Sequence, residues 1–224
     1  MCGRFTLTVD PSELQEAFAD YIFPTKFAPR FNIAPSQPVL AIPNDGKNEA
    51  DFFMWGLIPS WAKDPTIGSR LINARGETIA EKPSFRGSFK YKRCLILADG
   101  FYEWKSQLKT KIKIPYFIHM KDRAPFAFAG LWDEWQSPDG SSIRSCTIIT
   151  IEANELMAGI HNRMPVILNQ QDYAAWLDTA PQTPENLLPL IKPFSADKMS
   201  AYPVSTMVNS PANDRAELVV PVKE

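Results

Sequence analysis

Short runs of apolar residues recur along this chain, most of them too short for a helix and too aromatic or β-branched for a loop. PVLAI (38–42), DFFMWGL (51–57), RCLILA (93–98), PYFIHM (115–120), FAFAGLW (126–132) and SCTIITI (145–151) predict strands, punctuated by Pro, Gly, Asp or Ser. A helical period appears in four places. VDPSELQEAFADYIF (9–23) pairs Asp10 as N-cap with Glu13 in a capping box, puts Pro11 at the first helical position, and aligns Leu14, Phe18 and Tyr21 or Ile22 on one face. TIEANELMAGI (150–160), QQDYAAWLD (170–178) and PENLLPLIK (184–192) predict further helices. FAPRFNIAPSQP (27–38) is dense in proline and predicts an ordered loop.

Strands and helices do not alternate, which argues against a doubly wound parallel sheet. The expectation is an α+β fold in a single domain over 1–224, with a mainly antiparallel, barrel-like sheet and peripheral helices. A length of 224 residues fits one well-buried domain, and 20 prolines imply rigid connections and few long helices. No apolar run approaches the roughly 20 residues of a membrane span, and no basic flank with an apolar stretch marks a signal peptide. Three cysteines, widely spaced and without a CxxC pair, argue against a disulfide framework and a zinc site, and suggest a reduced, cytoplasmic protein.

Net charge is −1, which by itself suggests no polyanion partner. Its distribution does: residues 63–123 hold 14 Lys and Arg against 6 Asp and Glu. That basic middle could track phosphates, or its lysines, above all in KSQLKTKIK (105–113), could form a solvated hairpin.

The candidate chemistry starts at MCGRF. Removal of Met1 would leave Cys2 with a free α-amine of ordinary pKa about 7.7 beside its thiol. An aldehyde would form an imine with that amine, and the thiol could then close a thiazolidine ring. The plain alternative is a small buried cysteine. In DGFYEWK, strand alternation puts Phe101 and Glu103 on one face and Tyr102 and Trp104 on the other. A carboxylate among aromatics suits a general acid or base, although an ion pair at a strand end would use the same residue. His119 lies in an apolar strand and reads as structural, whereas His161 in GIHNRMP stands at a helix-to-loop junction beside Arg163. In LINARGET, Asn73 could donate an amide hydrogen bond and Arg75 could grip a phosphate, or they could be a cap and a surface arginine. In WGLIPSW, Trp55 reads as core, while Trp61 follows Pro-Ser in a loop where an indole could stack on a base. GxGxxG, P-loop, HExxH and GxSxG motifs are missing, so nicotinamide, nucleotide and zinc chemistry have no sequence support.

Together MCGRF, RFNIAP, WGLIPSW, INARGET, RCLILADGFYEW, GLW, TIEAN and IHNRMP resemble the SOS response-associated peptidase family, with weaker agreement at VSTMVNS and ELVVPV. The resemblance implies a protein that loses Met1 autocatalytically and shields abasic sites in single-stranded DNA. Cys2 would form a thiazolidine crosslink with the ring-opened sugar, with associated lyase activity. It further implies that Asn73 holds the reacting end of the chain, that Glu103 serves as acid and base, and that His161 assists proton transfer. Arg4, Arg75 and Arg163 would meet phosphates, and Asn32, Pro35, Trp61 and Trp104 would lie on the DNA face. No cofactor, metal or membrane is implied; the expected state is a monomer, cytoplasmic or nucleoid-associated. Where some members carry a double aromatic, this chain has Trp61 and Ala62. Two other classes use the same features: an N-terminal-nucleophile amidohydrolase attacking an amide with Cys2, and a non-catalytic single-strand binder in which Cys2 is inert.

Overall fold

A computed structural model describes residues 2–107 and 112–222. Met1 and the centre of the KSQLKTKIK segment therefore lie outside the described residues. Among the described residues twelve strands form two sheets. Strands β1 (Phe5–Leu7), β2 (Arg30–Ile33), β3 (Pro38–Pro43), β4 (Asp51–Trp55), β5 (Asn73–Arg75) and β6 (Arg93–Ala98) come first. Then follow β7 (Gly100–Ser106), β8 (Lys113–Met120), β9 (Phe126–Gln136), β10 (Ser142–Glu152), β11 (Arg163–Pro165) and β12 (Met199–Pro203).

The first sheet is antiparallel, in the order β12-β8-β7-β1-β2. The second runs β11-β10-β4-β3-β6-β9, and β9 pairs back onto β10, closing β10, β4, β3, β6 and β9 into a five-stranded ring. The expected mainly antiparallel, barrel-like α+β architecture is what the chain adopts. Its parallel exceptions are β4 and β5, both beside β10. Closure matters because it leaves the ring without an unpaired edge. Sheet and barrel share one core: Phe5 and Phe101 from the sheet meet Phe128 of the barrel edge-on, at 5.6 and 6.0 Å between ring centres.

Helices are short and peripheral. α1 (Pro11–Ala17) has the predicted capping box, with Glu13 accepting from the Asp10 N–H at 2.9 Å. It stops earlier than the pattern suggests, and Tyr21 is buried where Ile22 is exposed. α2 is Arg86–Tyr91, α3 Glu155–Ala158, α4 Tyr173–Trp176 and α5 Pro184–Leu187. The helix expected over 150–160 shrinks to α3 because β-branched Thr150 and Ile151 extend β10, and Asn154 caps the helix only afterwards. The loop expected at 27–38 contains β2, an edge strand, where flanking prolines remove no ladder hydrogen bond. Among the described residues no helix is long and apolar enough to cross a membrane.

Arg93 holds the periphery to the barrel. Its fully buried guanidinium donates to the carbonyls of Trp176 (2.9 Å), Lys90 (2.7 Å) and Asp178 (2.5 Å), so this member of the basic middle is structural. Cys94 and Cys146 are free and fully buried in the barrel, and burial pushes both thiols up. An unfolded thiol ionises near its ordinary value while the folded one keeps its proton. Stability is thus whole below about pH 8.5 and falls above it by about 1.4 kcal/mol per pH unit for each thiol, until the raised folded values are reached. Urea midpoints between about pH 8 and pH 10 should fall accordingly, and Cys94→Ala/Cys146→Ala should flatten the slope. An unchanged slope in the double variant would assign the alkaline loss elsewhere.

Candidate active site

β1 lies between β2 and the central strand β7, paired on both edges, which fixes the start of the chain. Asp99 tightens the hold: its carboxylate accepts from Thr6 Oγ1 (2.5 Å), Thr8 N–H (2.6 Å), Thr8 Oγ1 (2.5 Å) and Val9 N–H (3.2 Å). Phe5 pairs with Phe101, and Tyr102 N–H donates to Arg4 O at 2.9 Å, carrying the contact towards Cys2 and Glu103. Cys2 is completely buried, and Glu103 is 2% exposed. Burial pushes the Cys2 thiol up, and the Glu103 carboxylate pushes it further. The thiol therefore rests protonated, with a buried carboxylate close enough to feel its charge.

The alternation predicted for β7 is realised. Phe101 faces the shared core, whereas Tyr102 and Trp104 pack into a second cluster with Val204, Val208 and Leu218. Trp104 Nε1 donates to Asn209 Oδ1 at 2.8 Å, and the Arg4 guanidinium lies 5.9 Å from the Trp104 ring centre. His119 is structural, as expected: it is buried, Nδ1 lies 2.6 Å from Met120 O, and the ring stacks on Phe117.

β5 extends β4's edge of β10, placing Asn73 beside Ile148 and Arg75 beside Thr150. Asn73 Nδ2 donates to Cys2 O at 2.7 Å. Its Oδ1 is buried and accepts no hydrogen bond from the described residues. β11 takes the opposite edge, with Arg163 beside Glu152. Arg75, His161 and Arg163 thus line one cleft of about 600 Å³ at the end of β10. Arg163 N–H donates to His161 Nδ1 at 3.0 Å, which leaves Nε2 to carry the proton of the neutral ring. A larger cavity of about 890 Å³, between α1, α4 and the β8–β9 turn, holds none of these residues.

Two expectations change with the structure. Asn32, expected on the DNA face, is fully buried. Its Oδ1 accepts from Arg4 (2.8 Å), and its Nδ2 donates to Ser210 O (3.0 Å) and Asn213 O (2.6 Å). It is an interior post that binds Arg4 to the C-terminal segment, because an amide on the inward face of β2 can satisfy several backbone groups at once. Arg163 is likewise occupied, donating bidentately to Glu77 (Nη2–Oε2 2.9 Å) and to Thr150 O (2.6 Å). Glu77 is held below the usual carboxylate range by that hydrogen bond. Arg4 also spends a donor on Val208 O at 2.7 Å, while Arg75 is exposed. Pro35 is half-buried ahead of Ser36, a left-handed residue at φ 66°, and Trp61 is 60% exposed on a separate loop.

Sequence reasoning missed Glu77, Asp99 and the C-terminal latch. Asp214, which accepts from Arg30 (2.5 Å) and the Phe31 N–H (2.5 Å), completes that latch. Glu77 sits two residues after Arg75 in the NARGET run, but its partner Arg163 lies 86 residues further along the chain.

A family model described as SOS response associated peptidase (SRAP) matches residues 1–211. The chain is 50% identical over 222 residues to abasic site processing protein YoqW of Bacillus subtilis, covering 98% of this chain and 99% of that relative. It is 33% identical over 267 residues to abasic site processing protein HMCES of Gallus gallus, covering 100% of this chain and 78% of the relative. A crystal structure of a Bacteroides thetaiotaomicron protein superposes with a TM-score of 0.88 at 28% identity, over 99% of this chain and 100% of that one.

Proposed function

This chain belongs to the SOS response associated peptidase family, and from that membership we propose that it processes abasic sites in DNA by capturing them covalently through Cys2. The observation that carries the reading is the trio gathered around the start of the chain: the buried Cys2 thiol, the buried Glu103 carboxylate whose charge it feels, and the half-buried Asn73 amide on the Cys2 carbonyl. Only an N-terminal cysteine can use such a trio for aldehyde chemistry. Hydrolysis of the Met1–Cys2 peptide bond supplies the α-amine. Asn73 Oδ1, on the same carboxamide that grips Cys2 O, is a buried acceptor with no donor among the described residues, and we assign it to the new ammonium.

The α-amine adds to the aldehyde carbon of the ring-opened sugar, and the carbinolamine loses water to give an imine. Sγ then bonds to the imine carbon, its proton leaves by way of Glu103, and the former imine nitrogen gains a proton. The net change is aldehyde plus aminothiol to thiazolidine plus one water. Glu103 suits both proton transfers because it is desolvated and already coupled to the thiol. His161, across the cleft that also holds Arg75, would assist the reverse step, and the exposed Arg75 would receive a phosphate of the strand. An unclosed imine acidifies the neighbouring C–H and allows β-elimination, the source of lyase activity.

Intact-mass measurement after mixing with an abasic single strand tests the reading. The protein should lack Met1, and the adduct should weigh protein plus oligonucleotide less one water. Full retention of Met1 in crosslinking protein would refute the mechanism. Turnover of glutamine with no DNA adduct would favour the amidohydrolase class.

A further inference from the structure

Two aromatic rings stand out on the surface away from the trio. Trp61 is 60% exposed and Tyr91, at the end of α2, is 51% exposed; both line one hollow of about 200 Å³. Their backbones are held firmly while their rings are not. Asp133, 6% exposed, accepts from Ser60 N–H (2.8 Å) and from Lys92 Nζ (2.7 Å), so one carboxylate grips the immediate neighbour of each ring. On the other side of Trp61, the Ala62 carbonyl accepts from Trp135 Nε1 at 2.7 Å. The loop stem is closed by Gly56, at φ 133°, whose absent Cβ would lie 2.6 Å from the Gly68 carbonyl oxygen. Exposed rings carried on a backbone that is already held cost less entropy to use than rings on a mobile loop.

The surroundings fix the kind of guest. Lys82, Arg86 and Lys90 are exposed, and the stretch 82–92 contains no acidic residue. Lys90 Nζ lies 5.0 Å from the Tyr91 ring centre. An aromatic pair bordered by cations matches a nucleotide, with a flat base for the rings and a phosphate for the lysines. One strand, β10, links the hollow to the trio. Asp133 pairs with Ser145 and Asn73 with Ile148, so their anchors on β10 are three residues, roughly 10 Å, apart.

We propose that Trp61 and Tyr91 form a base-stacking clip, set by Asp133, that takes a nucleotide flanking the captured site on the same DNA strand. This rests on the single-strand reading above and adds Tyr91 and Asp133 to it. The two rings are distant in sequence, and the fold brings them to one hollow.

The test compares two single strands that cannot crosslink. One is an oligodeoxyadenosine with a single tetrahydrofuran spacer; the other has spacers throughout, keeping the phosphates and losing every base. The wild-type protein should prefer the first. Tyr91→Ala and Trp61→Ala should each weaken binding to it about tenfold, the size of one base-on-aromatic stack. They should leave the base-free strand unchanged, and Tyr91→Phe should behave as wild type. Equal weakening on both strands, or none on either, would overturn the clip, as would a wild-type protein that does not distinguish them. Crosslinking of a reactive abasic strand by wild type is scored separately. Its failure would refute the covalent function, while the clip would still be judged by the two inert strands.

Discussion

Cys2→Ala should lose every heat-stable DNA adduct yet keep an imine that borohydride can trap. Alanine still presents an N-terminal α-amine once Met1 is removed, so the aldehyde can condense with it. No sulfur is then available to close the ring, and the imine either reverses or drives β-elimination of the strand. The expected change is all-or-none for the stable adduct, because the Sγ–C bond cannot be replaced by any other group in the trio. The substitution removes one buried sulfur, and Asn73 binds only the main-chain carbonyl of this residue. The fold should therefore survive at a cost of about 1 kcal/mol, well inside the usual margin of a domain. Denaturing gels with and without reductant read both outcomes. A heat-stable adduct from Cys2→Ala without reductant would rule out the thiazolidine.

The barrel-like sheet was legible because its strands carry strong local signals: RCLILA is buried throughout as β6, and FAFAGL as the first six residues of β9. Three-residue strands such as β1, β5 and β11 were not, since so few residues establish no period and owe their shape to their neighbours. Those same short strands deliver Cys2, Asn73 and Arg163. The residue types of the site could thus be read from the chain while their meeting could not. Asn32 shows the limit from the other side. Its polarity suggested a surface contact, but burial with a full set of partners depends on the segment around 208–213, far along the chain. Glu103 is the opposite case, where simple alternation within β7 sufficed to set it inward with Phe101.

That inward setting makes Glu103→Gln the sharper test of mechanism. Glutamine keeps the shape, and both nucleophiles remain, so the product should still be a thiazolidine. What is lost is a group that can take the thiol proton and return it during dehydration. General acid–base groups contribute about 10²–10⁴-fold, so crosslinking should slow by that order. A second readout separates this from misplacement of the thiol. The Glu103 charge is one of the causes that raise the Cys2 pKa, so its removal must lower that pKa, and Cys2 should alkylate with iodoacetamide at lower pH than in wild type. The thiol becomes easier to ionise while the crosslink becomes slower, two changes that a simple loosening of the site would not produce together. Timing the adduct on an abasic single strand and following alkylation against pH measures both. An unslowed crosslink would remove Glu103 from catalysis. A slowed crosslink with an unshifted alkylation profile would mean that the carboxylate and the thiol are not coupled, and that the proton travels by another group.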